Sequence, residues 1–184
     1  MSQNIWSAKE KNEADEREEK EQKLPEKLLE KGHRKEEMDA ENADRYLRPL
    51  ENYIGVFSPK SLNNIKIVAY PAAVLVLTDG HWISFYITKQ SLEIMDSMGY
   101  LGRDDIDENL RKFITAHATA KTVSTTPQLQ TTQSNLCALY AICFLYYRAF
   151  DCGTLCDFCN IFRPNLKRNN DIIRKLFALI CEIK

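Results

Sequence analysis

The sequence has almost no net charge, no long apolar run and no internal repeat. Its 25 basic and 26 acidic side chains leave a formal net charge of −1, so no overall field directs the chain toward nucleic acid or a membrane surface. No run of about 18 apolar residues occurs, which argues against a membrane-spanning helix. An apolar segment of the signal-peptide type is also missing after Met1, which favours an intracellular protein. The six cysteines are therefore expected to be free thiols in a reducing compartment.

The charges are unevenly distributed along the chain. Residues 1–50 hold 14 acidic and 11 basic side chains, whereas residues 51–184 hold 12 acidic and 14 basic ones. Apolar residues near the N-terminus are few and follow no sustained period, so this part has little surface to bury. We therefore predict a charged N-terminal extension over residues 1–42, helical or disordered, and a folded domain over residues 43–184.

The folded domain has strand-like segments in its middle and helical patterns at both ends. A short first helix is expected at 42–50. Strands are predicted at 65–70, 73–78, 82–88 and 92–97, and 121–126 is a β-branched segment that ends at Pro127. Further helices are predicted after Asp104 or Asp105, from just after Ser134 to about Phe150 with Cys137 in the first turn, and at 171–182. This order indicates an α+β fold, with a central mixed or antiparallel sheet and a buried helix that begins near Cys137.

Cys137 lies where a polar loop runs into an apolar helix. Ser134 is a natural N-cap, which places Cys137 near the third helical position. The positive end of the helix dipole favours a thiolate there, and the thiolate is the nucleophilic form of cysteine. The sequence therefore predicts a reactive thiol, provided that the fold supplies a base, an orienting group and an oxyanion donor.

A predicted hairpin brings a base and an acid together. A loop centred at 88–89 places Phe85 opposite Leu92 and, at the end of the same row, His81 opposite Asp96. The loop lacks the residues of a tight two-residue turn, so we expect a four-residue loop with the same register. Asp96 would then accept a hydrogen bond from one ring nitrogen of His81, while the other nitrogen takes the thiol proton of the nucleophile.

A glutamine before the cysteine offers the oxyanion donor. Gln130 lies seven residues before Cys137, and its side-chain amide, together with the Cys137 backbone N–H, could bind the oxyanion of a tetrahedral intermediate. Gln128 and Gln133 occupy the same polar loop. Residue type and position alone leave all three glutamines open.

The remaining cysteines do not make a convincing metal site. Cys152, Cys156 and Cys159 form a C-x3-C-x2-C pattern, and a fourth cysteine ligand for zinc would have to come from Cys143 or Cys181. Free thiols in an intracellular domain are the expected outcome, so no metal or other cofactor is predicted. The two other histidines, in the charged extension and on a helix, have no catalytic context.

The order His-Trp, acidic residue, glutamine and cysteine at a helix start resembles the adenovirus-type cysteine endopeptidases (adenain). These share a papain-like clan with the SUMO- and NEDD8-processing proteases. The likeness is strongest to the adenain-like proteases of Maverick/Polinton elements and related animal DNA viruses. It covers most of residues 43–184 and includes the segments YIGVFSPKSL, GHWISFY, LEIMDSMG and the stretch from Gln130 to Cys137.

This resemblance implies a papain-like or adenain-like core and assigns roles to particular residues. His81 matches the base of the family, Asp96 its acidic partner and Cys137 its nucleophile. Gln130 matches the oxyanion donor, because adenain-like enzymes use the seven-residue spacing to the nucleophile. Trp82 matches an aromatic residue that contributes to substrate binding, and no cofactor is implied.

The resemblance also implies a monomeric endopeptidase that processes structural precursor proteins of a virus or mobile element. It implies a location in the virion and the host nucleus, with no membrane partner. Adenain is stimulated by DNA and by a viral peptide, but the net charge of +2 over residues 51–184 argues against a DNA activator here. The family usually has glycine after the nucleophile, whereas this chain has Ala138. The alternatives are an isopeptidase for ubiquitin-like modifiers, an acyltransferase, and a catalytically degenerate interaction module.

Overall fold

The computed structural model describes residues 38–102, 106–118 and 123–183, which form one mixed α+β unit. This unit begins at Met38, ahead of the predicted boundary at Ala43, and most of the predicted extension lies outside the described residues. The helices are α1 (Ala40–Leu47), α2 (Pro59–Leu62), α3 (Glu108–His117), α4 (Cys137–Ala149), α5 (Leu155–Cys159) and α6 (Leu166–Ile183). The strands are β1 (Tyr53–Phe57), β2 (Ala72–Thr78), β3 (His81–Ile87), β4 (Leu92–Met95) and β5 (Val123–Thr125). A 3-10 turn spans Tyr100–Gly102.

The five strands form one sheet in the order β1-β2-β3-β4-β5. The two outer pairs are parallel, and the two inner pairs are antiparallel. A central mixed sheet in an α+β fold, as predicted, is therefore confirmed. The antiparallel connection between β2 and β3 is a tight turn through Asp79 and Gly80, both with positive φ. This turn places His81 at the first position of β3.

Helices cover both faces of the sheet, which explains why β2 and β3 are apolar at almost every position. On one face, the sheet packs against α1, α4, α5 and α6 through Ala73, Leu75, Trp82, Tyr86 and Met95. The opposite face packs against α2 and α3, with a core of Val74, Val76, Ile83, Phe85, Ile94, Leu62, Leu110 and Phe113. The Ser84 hydroxyl also donates to the carbonyl of Ala141 at 3.2 Å, which ties β3 to α4.

Helix α4 is buried along most of its length, as its apolar sequence predicted. Its start differs from the prediction. Leu136 occupies the N-cap position and makes no side-chain capping bond, so Cys137 is the first helical residue rather than the third. Ser134 is not the cap, because its hydroxyl is turned toward Asn170 of α6, with the two oxygens 3.3 Å apart.

Two strand predictions need correction. The segment 65–70 is irregular, and Val68 within it is 91% exposed. Alternating apolar residues suggested a strand there, but Pro71 has no N–H for a ladder and the segment finds no strand partner. The first strand is instead Tyr53–Phe57, which the sequence analysis missed because Gly55, at φ 149°, interrupts its short apolar pattern.

Several helix boundaries also differ from prediction. Asp107 caps α3 and accepts from the N–H groups of Asn109 at 2.8 Å and Leu110 at 3.2 Å, whereas Asp104 and Asp105 lie outside the described residues. Helix α6 begins at Leu166, ahead of position 171. Helix α5 was missed, although the Thr154 capping box with Asp157 is visible in the sequence. In the described ranges, every helix is too short or too polar to cross a bilayer.

Candidate active site

The β3–β4 hairpin has the predicted face but not the predicted register. Phe85 lies opposite Ile94 rather than Leu92, and Leu92 lies opposite Ile87. The difference is two residues, so the same side chains share a face. Its cause is the loop at 88–91, in which Thr88 Oγ1 accepts from the backbone N–H groups of positions 90 and 91 at 3.1 and 2.9 Å. The side chain of Thr88 thereby stabilises a four-residue loop one position later than predicted.

His81 and Asp96 nevertheless meet. The strand ladder ends at the pair of Ser84 and Met95, and the chain then turns, with the N–H of Gly99 donating to the carbonyl of Asp96 at 2.9 Å. This turn brings Asp96 Oδ1 to 2.8 Å from His81 Nε2. The two residues are 0% and 5% exposed, so water does not compete for this hydrogen bond.

The Asp96 carboxylate is held by backbone donors as well. Oδ1 accepts from the N–H groups of Met98 at 3.2 Å and Gly99 at 3.1 Å, and Oδ2 accepts from Leu101 at 2.7 Å. Burial alone would raise the pKa of Asp96, but the hydrogen bonds from His81 and these N–H groups lower it below its ordinary value. Asp96 is therefore an anion with a fixed orientation.

His81 is coupled to Cys137. Because Nε2 is bonded to Asp96, Nδ1 is the nitrogen available to a nucleophile; it is buried and has no hydrogen-bond partner of ordinary geometry. The thiol of Cys137 is nevertheless near enough for the two groups to change each other's pKa. Burial disfavours the imidazolium, but Asp96 and Cys137 outweigh it and raise the pKa of His81 to about 9.

The Cys137 thiol is stabilised as an anion. Burial disfavours the thiolate, but His81 and the backbone of Trp82 and Ala138 together lower the pKa of Cys137 below its ordinary value. The start of α4 helps, because no side chain caps it and its first N–H groups remain available. The two pKa shifts, upward for the histidine and downward for the cysteine, favour a thiolate–imidazolium pair.

The three glutamines lie in different environments. Gln130 is 0% exposed, and neither its amide nitrogen nor its oxygen has a hydrogen-bond partner. Gln128 donates from its side chain to the carbonyl of Gln130 at 3.0 Å, and Gln133 is exposed. The N–H groups of Leu129 and Gln130 both donate to the carbonyl of Ser97, at 2.8 and 3.2 Å, which ties this loop to the turn after Asp96.

The same loop is also tied to the helices. Tyr140 of α4 donates from its hydroxyl to the carbonyl of Leu129 at 3.2 Å, and Asn169 of α6 donates to the same carbonyl at 2.9 Å. Tyr140 lies about one turn after Cys137 on α4. The bonds through Leu129 and Ser97 thus hold Gln130 between the nucleophile helix and the turn that carries Asp96.

Three further contacts of the site were not foreseen. Tyr100 places its ring 5.1 Å from the His81 ring, centre to centre, at 59°. Thr126 bonds through its hydroxyl to both backbone groups of Asp96. The backbone N–H of Leu101 reaches the carboxylate. The sequence signal for Tyr100 is weak, namely an aromatic residue directly after the turn glycine Gly99.

Trp82 and Ala138 lie against the nucleophile, and both are almost fully buried, at 4% and 2% exposure. They belong to the apolar core between the sheet and α4. The remaining cysteines differ from Cys137. Burial raises the pKa of Cys143, whereas Cys181 is exposed. Within the described residues, no group of three or more histidine, cysteine or acidic side chains is placed to hold a metal ion.

No protein-family model matches the chain, and no curated protein matches it. One solved structure that does match is the central domain of an uncharacterized protein from Legionella pneumophila, with a TM-score of 0.41 and 13% sequence identity. The match covers 71% of this chain and 88% of that chain. At this TM-score the likeness identifies neither a fold family nor an activity.

The described geometry has a definite chemical capacity. It contains an acid-oriented imidazole, a thiol with a lowered pKa at an uncapped helix start, and a buried amide with a free N–H. These are the parts required for acyl transfer through a thioester. They lie at the start of β3, in the turn after β4, in the loop before α4 and at the start of α4.

Proposed function

We propose that the chain is a cysteine endopeptidase with an adenain-like, papain-related core. The observation that carries the proposal is the buried 2.8 Å contact between His81 Nε2 and Asp96 Oδ1, which leaves Nδ1 for the thiol of Cys137. The same histidine also lowers the pKa of Cys137. A His–Asp pair with only a structural role would have no need of such a cysteine, so this supports a catalytic role.

Acylation follows from these positions. The Cys137 sulfur attacks the carbonyl carbon of the scissile bond, and the thiol proton resides on His81 Nδ1. The carbonyl oxygen becomes an oxyanion, which accepts from the side-chain N–H of Gln130 and the backbone N–H of Cys137. Collapse of this intermediate breaks the C–N bond, His81 gives its proton to the leaving amine, and a thioester to Cys137 remains.

Deacylation reverses the proton path. His81 accepts a proton from water through Nδ1, and the resulting hydroxide attacks the thioester carbon. The C–S bond breaks, the acid product leaves, and the proton restores the imidazolium–thiolate pair. Throughout, Asp96 holds the ring through Nε2 and offsets its positive charge.

The substrate class comes from the family resemblance. We propose structural precursor proteins of a virus or mobile element as substrates, with small residues, often glycine, near the cut. The virion and the host nucleus are the corresponding locations, and a monomer is the corresponding working form. The low exposure of Cys137, 5%, supports small residues near the cut, because a bulky side chain there would have little room beside the thiol.

An electrophilic peptide that ends in Gly-Gly tests the activity. We expect one adduct, at Cys137, when adducts are mapped by mass spectrometry, and we expect His81→Ala to abolish it. His117→Ala is the matched control, because it removes a histidine that instead bonds the carbonyl of Phe113. Exposed Cys181 serves as the internal reference for non-specific alkylation.

Two results would contradict the proposal. Equal labelling of Cys137 and the exposed Cys181 indicates an inert thiol, and persistent labelling in His81→Ala removes the proposed base. A second assay compares linear peptides with a panel of ubiquitin-like fusions. Cleavage of the fusions alone would replace the endopeptidase by an isopeptidase that uses the same residues.

A further inference from the structure

The sheet ladder stops just before it reaches Asp96. The last pair between β4 and β5 is Ile94 with Thr125, and the same register would place Pro127 opposite Asp96. In a parallel ladder Asp96 would bond to the residues on either side of Pro127, but the pairing ends at Thr125 and supplies no such bond. The N–H of Asp96 therefore needs another partner, while its carbonyl already accepts from the N–H of Gly99.

The hydroxyl of Thr126 is that partner. The N–H of Asp96 donates to Thr126 Oγ1 at 3.1 Å, and the same hydroxyl donates to the carbonyl oxygen of Asp96 at 2.5 Å. A hydroxyl carries one donor and two acceptor lone pairs, so it can serve both backbone groups at once. The side chain takes the place of the missing strand neighbour.

Both residues are shielded from solvent. Asp96 is 0% exposed and Thr126 is 6% exposed. If the hydroxyl were absent, the N–H of Asp96 would be left buried without a partner, and its carbonyl would keep only the bond from the N–H of Gly99. Buried backbone groups are rarely left unpaired, so the backbone would be expected to shift until it found water or another group.

Such a shift would act on the site. The carboxylate of Asp96 is held from one side by the turn N–H groups of Met98, Gly99 and Leu101. The backbone that carries it is held from the other side by Thr126. Both restraints act on the residue whose carboxylate makes the 2.8 Å contact with His81.

We propose that Thr126 is a positioning residue of the active site, whose hydroxyl holds the Asp96 backbone so that the carboxylate meets His81 in a fixed geometry. The inference rests on the proposed cysteine-endopeptidase function, in which this contact orients the base. Thr126 touches neither the substrate nor the thiol in this scheme and acts only through Asp96.

Substitutions at Thr126 separate the hydroxyl from the methyl group. Thr126→Val removes the hydroxyl at nearly constant volume, Thr126→Ser retains it, and Thr126→Ala provides a second hydroxyl-free variant should the valine variant not fold. Thr115→Val is the matched control, since the hydroxyl of Thr115 donates to a backbone carbonyl, that of Arg111, on the exposed side of α3.

The first readout is the titration of the His81 ring by NMR, and the second is the rate of Cys137 labelling. In the hydroxyl-free variants we expect the pKa of His81 to fall by about one unit or more, and the labelling rate at neutral pH to fall about tenfold. Thr126→Ser should recover both values, and Thr115→Val should change neither.

The proposal is overturned if a folded hydroxyl-free variant keeps the parental His81 titration and labelling rate. It is also overturned if Thr126→Ser loses as much as Thr126→Val, because packing of the methyl group would then be the cause. The titration does not require turnover. If Cys137 is labelled no faster than an inert thiol, the proposed function is contradicted. The pKa of His81 would still show whether Thr126 positions Asp96.

Discussion

Replacing Asp96 by asparagine removes one negative charge from the site at almost constant shape. The carboxylate has two accepting sides. Oδ1 faces His81 at 2.8 Å, and Oδ2 faces the N–H of Leu101 at 2.7 Å. Asparagine has a single oxygen, so its NH2 group must oppose either the imidazole or the N–H of Leu101. At least one donor therefore loses its acceptor, since Oδ1 also accepts from the N–H groups of Met98 and Gly99, and each such loss costs about 1–3 kcal/mol of folding free energy.

The larger effect is on the histidine. The pKa of His81 is raised to about 9 against the opposing effect of burial, with Asp96 and Cys137 as the causes. Without the Asp96 charge, burial becomes dominant and we expect the pKa to fall by about two units or more. Each unit corresponds to about 1.4 kcal/mol, or tenfold in the balance between charged and neutral forms. The labelling rate of Cys137 at pH 7 should accordingly fall about tenfold to a hundredfold.

Two assays read this prediction. NMR of the histidine rings gives the pKa of His81, and mass spectrometry gives the rate of Cys137 alkylation. Asp107→Asn is the matched control, because that carboxylate also accepts two backbone N–H groups but contacts no histidine. If folded Asp96→Asn protein still titrates His81 near pH 9 and labels Cys137 at the parental rate, the electrostatic coupling described here is wrong.

Three further predictions test other parts of the site. The rate of peptide cleavage should fall as pH rises through about 9, because His81 can donate a proton to the leaving amine only below its raised pKa. The rate of Cys137 alkylation should show no such fall, because alkylation needs only the thiolate. Gln130→Leu should lower kcat by about 100-fold to 1000-fold, and it should raise the unfolding free energy by about 1 kcal/mol because it removes a buried amide without partners. Exposed Gln133→Leu should change neither quantity. A Gln130→Leu protein with unchanged kcat would exclude the oxyanion role. Thr154→Ala should lower the free energy of unfolding, measured with denaturant, by about 1 kcal/mol, because Thr154 caps α5. Ser134→Ala should lower it clearly less, because Ser134 caps no helix. Equal losses in the two variants would contradict the uncapped start of α4.

Much of the fold follows from local patterns. Short runs of apolar, β-branched and aromatic residues are a local property of the chain, so the strands from Ala72 to Met95 could be predicted, with ends displaced by one or two residues. The helix that begins near Cys137 was also predicted. Its burial followed from its sequence, because a helix that is apolar all round must be buried. Where the local pattern was short or misleading, as at Gly55 and in the segment 65–70, the prediction failed.

The sequence by itself determined that His81 and Asp96 point to one face of a hairpin and that a cysteine stands where an apolar helix begins. Side-chain period and amphipathicity are local properties, and they survive a two-residue error in register. Only the tertiary structure decided which atoms meet. The side-chain hydrogen bonds of Thr88 set the loop, and the turn after Met95 carried Asp96 to His81. Contacts between distant segments also bury Gln130 and place Thr126 against Asp96. Such contacts produce no periodic pattern in the local sequence, so they could not be predicted from it.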